Sequence, residues 1–508
     1  FASYYGDHMV LQKKPSGAVL WGHGELGAMV TVTLSGASGL IIMEKTAQVK
    51  GPSETWIVVL DPMDQGGPYA LMAEQGLENM TLRDIYFGDV WLCSGQSNMA
   101  MTVLQVANAS QELAAAARYP YIRIFAAAPA RSDVELEDLE HIDLPWSIPT
   151  AAENLGHGNF TYFSAVCWLL GRSLYEALGS PIGLVEVAWG GTPIEAWSSR
   201  RVLQACGLLE DTGRDPGPLL GACFNLKPAL CFAPPINLAL SSSISPHQHL
   251  SGPQTPSVLW NAMIHPLLNM TLRGVAWYQG EANAFLNTDQ YNCTFPALIA
   301  DWRRAFHTGS AGQTEPLLPF GFVQLSTYRR RSADDSFARL RWHQTADLGV
   351  VPSARMPSTF MAVAMDLGDE HSPYGSIHPR DKQNVAHRLL LGARAVAYGD
   401  KDIVFQGPYP TQAILEVTRG LLNVTYSQEL LCRQKVAQAF EVCCSSQASP
   451  CQWLPAPMVA VESHTVTLTL SGCRTLVLGL RYAWAEWPCE YQACPLYNPQ
   501  GLPAPPFL

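Results

Sequence analysis

Charge is what this sequence has least of. Asp, Glu, Lys and Arg make up 15% of its 508 residues, and the acids outnumber the bases to leave a formal net charge of −11. No run of Lys or Arg stands out. Proteins that bind nucleic acid or anionic membrane concentrate cations on one face or segment, so neither is an expected partner. No stretch of about 18 apolar residues occurs, and no membrane span is expected. None of the 13 Cys forms a CxxC pair with a second pair at zinc spacing, so no structural zinc site is expected. No Ser is framed by G-x-S-x-G, which argues against the strand-to-helix elbow of α/β-hydrolases. The chain starts at Phe1 without Met, a basic segment or an apolar segment, and reads as a processed or truncated start, as after signal-peptide removal.

What is present fits a large protein with real cores. Apolar residues make up 48%, and the length suits about three domains. Seven of the Cys lie between Cys432 and Cys494, in a loop-rich end that reads as disulfide-stapled. The odd total leaves at least one thiol free or paired between chains. Six N-x-[S/T] sequons occur, at Asn79, Asn108, Asn159, Asn269, Asn292 and Asn423. With the cysteines they predict passage through the secretory route, to a lysosomal or extracellular location.

Three parts follow from the patterning. Residues 1–86 read as an all-β, sandwich-like module, with short strands at Gly17–Gly22, Ala28–Leu34 and Thr55–Leu60 punctuated by Gly and Pro. Gly22-His23-Gly24-Glu25-Leu26-Gly27 matches G-x-G-x-x-G, but a strand follows it instead of a helix, so it is not a nucleotide loop. Residues 87–401 alternate strand and helix. Strands are expected at Asp89–Ser94, Ile182–Ala188, Gly274–Gln279, Pro319–Leu325 and Thr359–Met365. Helices are expected at Ala165–Leu178, Pro296–Phe306 and Asp381–Tyr398. That predicts a five-stranded, mostly parallel α/β sheet. Residues 402–508 return to β character and hold the Cys-rich module. The stretch 207–256, with eight Pro and no period, interrupts the middle part as an irregular insert with no assigned function.

The sharpest local signal is Asp89-Val90-Trp91-Leu92-Cys93-Ser94-Gly95-Gln96-Ser97-Asn98-Met99. An apolar strand stops at a Gly, and a Ser stands two residues on, before a helix start. Acyl-transfer enzymes place a nucleophile in this way, at a sheet edge where backbone N–H groups can hold an oxyanion. The competing reading is that Ser97 only caps a helix. Other strand edges carry Gly190-Gly191-Thr192, Gly280-Glu281-Ala282-Asn283, Asp366-Leu367-Gly368-Asp369 and Gly375-Ser376-Ile377-His378-Pro379. Each alone is ordinary loop chemistry. Their convergence at one edge of one sheet, where open α/β folds bind ligands, favours a site.

These blocks resemble those of the SGNH hydrolase superfamily. Met9-Val10-Leu11-Gln12, Gly95-Gln96-Ser97-Asn98-Met99, Trp277-Tyr278-Gln279-Gly280-Glu281 and Arg481-Tyr482-Ala483-Trp484 extend the likeness, over nearly the whole chain outside 207–256, to the sialate O-acetylesterase family of animals. The resemblance implies an SGNH-type, flavodoxin-like core with flanking β modules and no metal or organic cofactor. It implies hydrolysis of O-acetyl esters on sialic acid, with Ser97 as nucleophile and His378 as general base and then acid. The Ser97 N–H, a Gly190 or Gly191 N–H and the Asn283 amide would hold the oxyanion, each donor contributing about 3–4 kcal/mol. Superfamily members carry an Asp three residues before the His. Here that position is Gly375, so Asp366, or alternatively Asp369, is the expected partner of His378. A backbone carbonyl in that place would leave a Ser–His dyad. Two other readings remain at this point: an esterase for another acetylated polysaccharide, and a glycan-binding protein with a decayed hydrolase core.

Overall fold

The computed structural model describes residues 1–209, 252–434, 438–445, 451–473 and 476–508. Most of the 207–256 insert therefore lies outside the described residues.

A parallel strand buried on both faces needs a near-continuous apolar run, and such runs build the central sheet. Its core strands are β1 (Glu78–Gly95), β2 (Ile122–Ala127), β3 (Ile182–Ala188), β4 (Gly274–Tyr278), β5 (Phe320–Gln324) and β6 (Thr359–Val363). They run in the order β6-β5-β4-β1-β3-β2, every neighbouring pair parallel. All five expected strands are among them. The expected count of five is corrected to six by β2, and Ile142–Ser147 adds an antiparallel edge beyond it.

Helices cover both faces. They are α1 (Ser97–Ala100), α2 (Ala165–Leu178), α3 (Tyr291–Gly309) and α4 (Lys382–Val396). The period of two along β5 shows how the faces separate. Phe320 and Phe322 pack on Phe295 of α3, whereas Gly321 between them faces Phe360, whose ring also fills the space at Gly392 of α4. A disulfide from Cys93 in β1 to Cys167 in α2 ties this central strand to its covering helix.

The strand β1 joins two architectures. Its first half pairs antiparallel with Gly66–Gln75, its second half lies parallel between β3 and β4, and Val10–Gln12 pairs with it in between. Residue 86 thus falls inside one continuous strand, and one apolar cluster extends from Ala2 to Ala397. The C-terminal strands form a four-stranded and a three-stranded antiparallel sheet around a second cluster that includes Val424, Phe440, Leu468 and Tyr482. Three disulfides, Cys443–Cys451, Cys444–Cys473 and Cys489–Cys494, staple this part, and Cys206–Cys293 closes the list among the described residues. Cys432 is exposed and unpaired, in keeping with the odd count.

The strand order reverses at β1. The chain leaves it for β2 and β3 on one side and later crosses to β4, β5 and β6 on the other. A crevice opens at such a switch point, beyond the carboxyl ends of the strands. Ser97 follows β1 directly there.

Candidate active site

The turn after β1 is held tightly. Gly95 has φ +147°, and a side chain on it would lie 2.1 Å from the Tyr278 carbonyl oxygen, so only Gly fits where β1 and β4 end together. The Gln96 N–H then donates to that carbonyl at 3.0 Å. Gln96 is the residue that precedes α1, and Ser97 is its first helical residue. Ser97 is therefore not a helix cap, and its side chain is left for another use.

That use is visible in the partner. The Ser97 hydroxyl lies 2.8 Å from His378 Nε2, bridging 281 positions of sequence. On the other side of the ring, His378 Nδ1 lies 2.7 Å from the Tyr374 carbonyl oxygen. A carbonyl only accepts, so Nδ1 carries the proton and Nε2 offers its lone pair to Ser97. This is the tautomer a general base needs. The loop that makes it is pinned: the Ser372 hydroxyl donates to the His378 carbonyl at 2.7 Å, and the His378 N–H donates to Gly375 O at 2.9 Å. Gly375 adopts φ +87°, a conformation that costs Gly nothing and most residues strain. The position of the usual Asp is thus occupied by the turn that brings a carbonyl to the imidazole.

The expected carboxylate partner is corrected. Asp366 is fully buried and faces Arg388, with contacts at 2.6 and 3.0 Å, and it also accepts from the Tyr497 hydroxyl at 2.9 Å. Asp369 is taken by Arg380, at 2.6 Å to Nε and 3.0 Å to the terminal nitrogen. Burial would raise the Asp369 carboxyl, but the Arg380 contacts outweigh it and hold it below the usual carboxylate range. Each Asp is committed to its arginine, and neither reaches His378.

Asn283 is corrected in the same way. It is wholly buried. Both protons of its amide are used, on Glu195 Oε2 at 2.9 Å and Leu286 O at 3.1 Å, while its oxygen accepts from Ile194 N and Gln279 Nε2. It locks the loop after Gly190-Gly191 to the loop after β4 and has no donor left for an oxyanion. Gly190 and Gly191 are where the sequence placed them. Gly190 packs on Ser97, the Trp189 N–H anchors to Gly95 O at 3.1 Å, and both glycines line the cleft with Ser97 and His378.

The cleft has a volume of about 680 Å³. Phe160 and Phe285 supply apolar wall, and the Phe160 ring lies 4.8 Å from that of His378. Phe160 was legible only as the middle of a sequon. Beneath the Ser97–His378 pair is a polar network that the sequence reading also missed. Asn98 donates to Ile377 O at 2.9 Å and to Glu281 at 2.5 Å, and it accepts from the Lys382 ammonium at 2.8 Å. Lys382, fully buried, also donates to Pro379 O at 2.7 Å. One Asn next to Ser97 thereby holds the His378 loop and the β4 loop together. The Asn-Met after Ser97 and the Lys at the start of α4 were the available signals, but the contacts span 183 to 284 positions. Among the described residues no cluster of His, Cys, Asp and Glu is arranged to hold a metal ion.

Burial pulls the His378 imidazole below its usual 6.5; the Tyr374 carbonyl opposes this and the Lys382 charge adds to it. A protonated His378 cannot take the Ser97 proton. Activity should therefore fall as pH drops through the His378 pKa and be flat above it, and the acid limb of kcat/KM should have its midpoint below 6.5. A midpoint above 6.5 would point to a carboxylate beside the imidazole, which raises such a pKa.

Known proteins resemble this chain along its whole length. Residues 411–508 match the sialate O-acetylesterase C-terminal domain. The chain is 55% identical over 514 residues to sialate O-acetylesterase of Homo sapiens, covering 100% of this chain and 92% of that one. It is 56% identical over 518 residues to sialate O-acetylesterase of Rattus norvegicus, covering 100% and 93%. A solved carbohydrate acetylesterase from Xanthomonas citri superposes with a TM-score of 0.76 at 27% identity, over 99% of this chain and 98% of the other. With a Ser–His pair at the switch point of its sheet and such likeness from end to end, this chain belongs to the sialate O-acetylesterase family.

Proposed function

We propose that this protein is a serine esterase that hydrolyses O-acetyl esters of sialic acids, at the 9-O and also the 4-O position, and releases acetate. The observation that carries the reading is the 2.8 Å contact between Ser97 Oγ and His378 Nε2 on the wall of an open cleft, in a chain of this family. The Ser97 oxygen attacks the acetyl carbonyl as His378 takes its proton. The carbonyl oxygen becomes an oxyanion facing the N–H groups of Ser97 and of Gly190 or Gly191. Collapse expels the sugar hydroxyl, which receives the proton back from His378. Water, deprotonated by the same nitrogen, then frees acetate from Ser97. The Tyr374 carbonyl orients the ring and accepts from the imidazolium, the part a carboxylate takes in a triad. No step calls for a metal.

Acetate release from 9-O-acetyl and 4-O-acetyl sialic acid tests the proposal, with acetylated xylan as the contrast. Turnover of the sialic esters with kcat/KM at least about 10²-fold above the polysaccharide is expected. The reverse order would make this an esterase for another acetylated glycan, and binding without turnover would make it a glycan-binding protein.

The same reading places the protein in the secretory pathway, in lysosome or medium. Five disulfides among the described residues support it, as do sequons whose Asn79, Asn108 and Asn159 are exposed. Protein from a eukaryotic secretory host should lose mass on treatment with N-glycanase; unchanged migration would contradict this placement.

A further inference from the structure

With Asn283 spent on Glu195 and Leu286, the oxyanion is left with backbone donors alone, and one buried amide beside the nucleophile has a free donor end. Gln96 is 3% exposed and lines the cleft next to Ser97. Its side-chain oxygen accepts from two backbone N–H groups, Gly280 and Ala282, each at 3.3 Å. Two donors on one atom fix which end of the amide is oxygen, so the NH2 group lies at the other end. That NH2 makes no hydrogen bond to any described residue. It is not one of the sealed polar atoms left without a partner, so an acceptor in the cleft can reach it. An ester bound in the cleft would supply the missing acceptor.

We infer that Gln96 is a catalytic residue whose Nε2 donates a hydrogen bond to the acyl oxygen as it becomes an oxyanion, the role the sequence assigned to Asn283. No proton changes hands in this contact. The electron pair of the carbonyl moves to its oxygen as the Ser97 Oγ–carbon bond forms, and the Ser97 proton goes to His378. Gly280 and Ala282 hold the amide in place beforehand, so its dipole needs no reorganisation when charge develops. The β4 loop thus still contributes to the oxyanion hole, but through its backbone and through the residue before the nucleophile. The inference rests on the esterase reading, though not on the identity of the sugar.

Gln96→Glu keeps an acceptor for the Gly280 and Ala282 N–H groups and removes the donor; Gln96→Met removes both without adding charge. Each should be assayed on 9-O-acetyl sialic acid and on p-nitrophenyl acetate. Both variants should lose about 10²–10³-fold in kcat with KM within about threefold of the parent. Reaction with a phosphonate that traps Ser97 as a tetrahedral adduct should slow in parallel, while N-acetylneuraminic acid binding is unchanged. A folded variant with kcat within about threefold of the parent on the aryl ester would overturn the inference. Hydrolysis of the aryl ester but not of the sialic ester by the parent would instead overturn the substrate reading. A crystal structure of the parent phosphonate adduct decides independently of variant folding: Gln96 Nε2 should lie about 2.7–3.1 Å from the phosphonyl oxygen. Asn283 in that place would contradict the assignment.

Discussion

Replacing Ser97 with Ala should leave a folded protein that releases acetate at least about 10⁴-fold more slowly. The change removes one oxygen, whose partner in the protein is His378 Nε2. No structural bond depends on that oxygen, since the turn is held by Gly95, by the Gln96 N–H and by the Asn98 side chain. Thermal unfolding should therefore be nearly unchanged. Residual activity of more than a small percentage in folded protein would mean that another nucleophile serves this cleft. Deletion of the His378 imidazole should fall in the same range, because nucleophile and base act as a unit and their losses do not add.

Asp366→Ala should do the opposite: a large loss of stability with little loss of chemistry. The Asp366 carboxylate is fully buried and the Arg388 guanidinium is 7% exposed. Removing one partner of such a pair leaves an uncompensated buried charge and costs about 3–5 kcal/mol. Arg388 would keep only the Val363 carbonyl, and Tyr497 would lose its acceptor. Because Arg388 lies on α4, Val363 ends β6 and Tyr497 belongs to the C-terminal module, the midpoint of denaturant unfolding should drop clearly. Turnover per folded molecule should stay within about tenfold of the parent, against the roughly 10⁴-fold loss seen when a true triad Asp is changed. An intact midpoint with turnover down by orders of magnitude would restore Asp366 to the catalytic group.

The same two residues show what sequence could and could not convey. Ser97 was legible because its surroundings are local: an apolar strand, a Gly that only a close backbone approach requires, and a short helix. His378 was legible by its block, at the edge of the same sheet. Asp366 was expected at the end of its strand, which stops three residues earlier at Val363; its partner lies 22 residues on, in α4, and nothing in the spacing indicates that Arg388 turns inward. Asn283 was likewise placed on the right loop. What decided its role was Glu195, 88 positions earlier, which captures its amide. Orientation of a polar side chain depends on partners brought by the fold, and periodicity carries no record of them. The β2 strand escaped for a simpler reason. Ile122-Arg123-Ile124-Phe125-Ala126-Ala127 places an Arg among apolar residues and ends in Ala, and only the fold shows that Arg123 is buried against Asp84 and the His8 carbonyl. The strands β3 to β6 begin and end within two residues of expectation, whereas β1 begins at Glu78, eleven residues before the expected Asp89, because it continues back into the N-terminal sheet.

If Ser97 is a nucleophile activated by His378 without a carboxylate, the intact protein should show it through its reactivity. A fluorophosphonate, which reacts only with an activated serine, measures that directly in the intact protein. One phosphonyl group per chain is expected, on the peptide carrying Ser97. Labelling should be abolished in His378→Ala and retained within about tenfold in Asp369→Asn and in folded Asp366→Ala. Labelling on a different residue, or a collapse by orders of magnitude in either Asp variant, would contradict it.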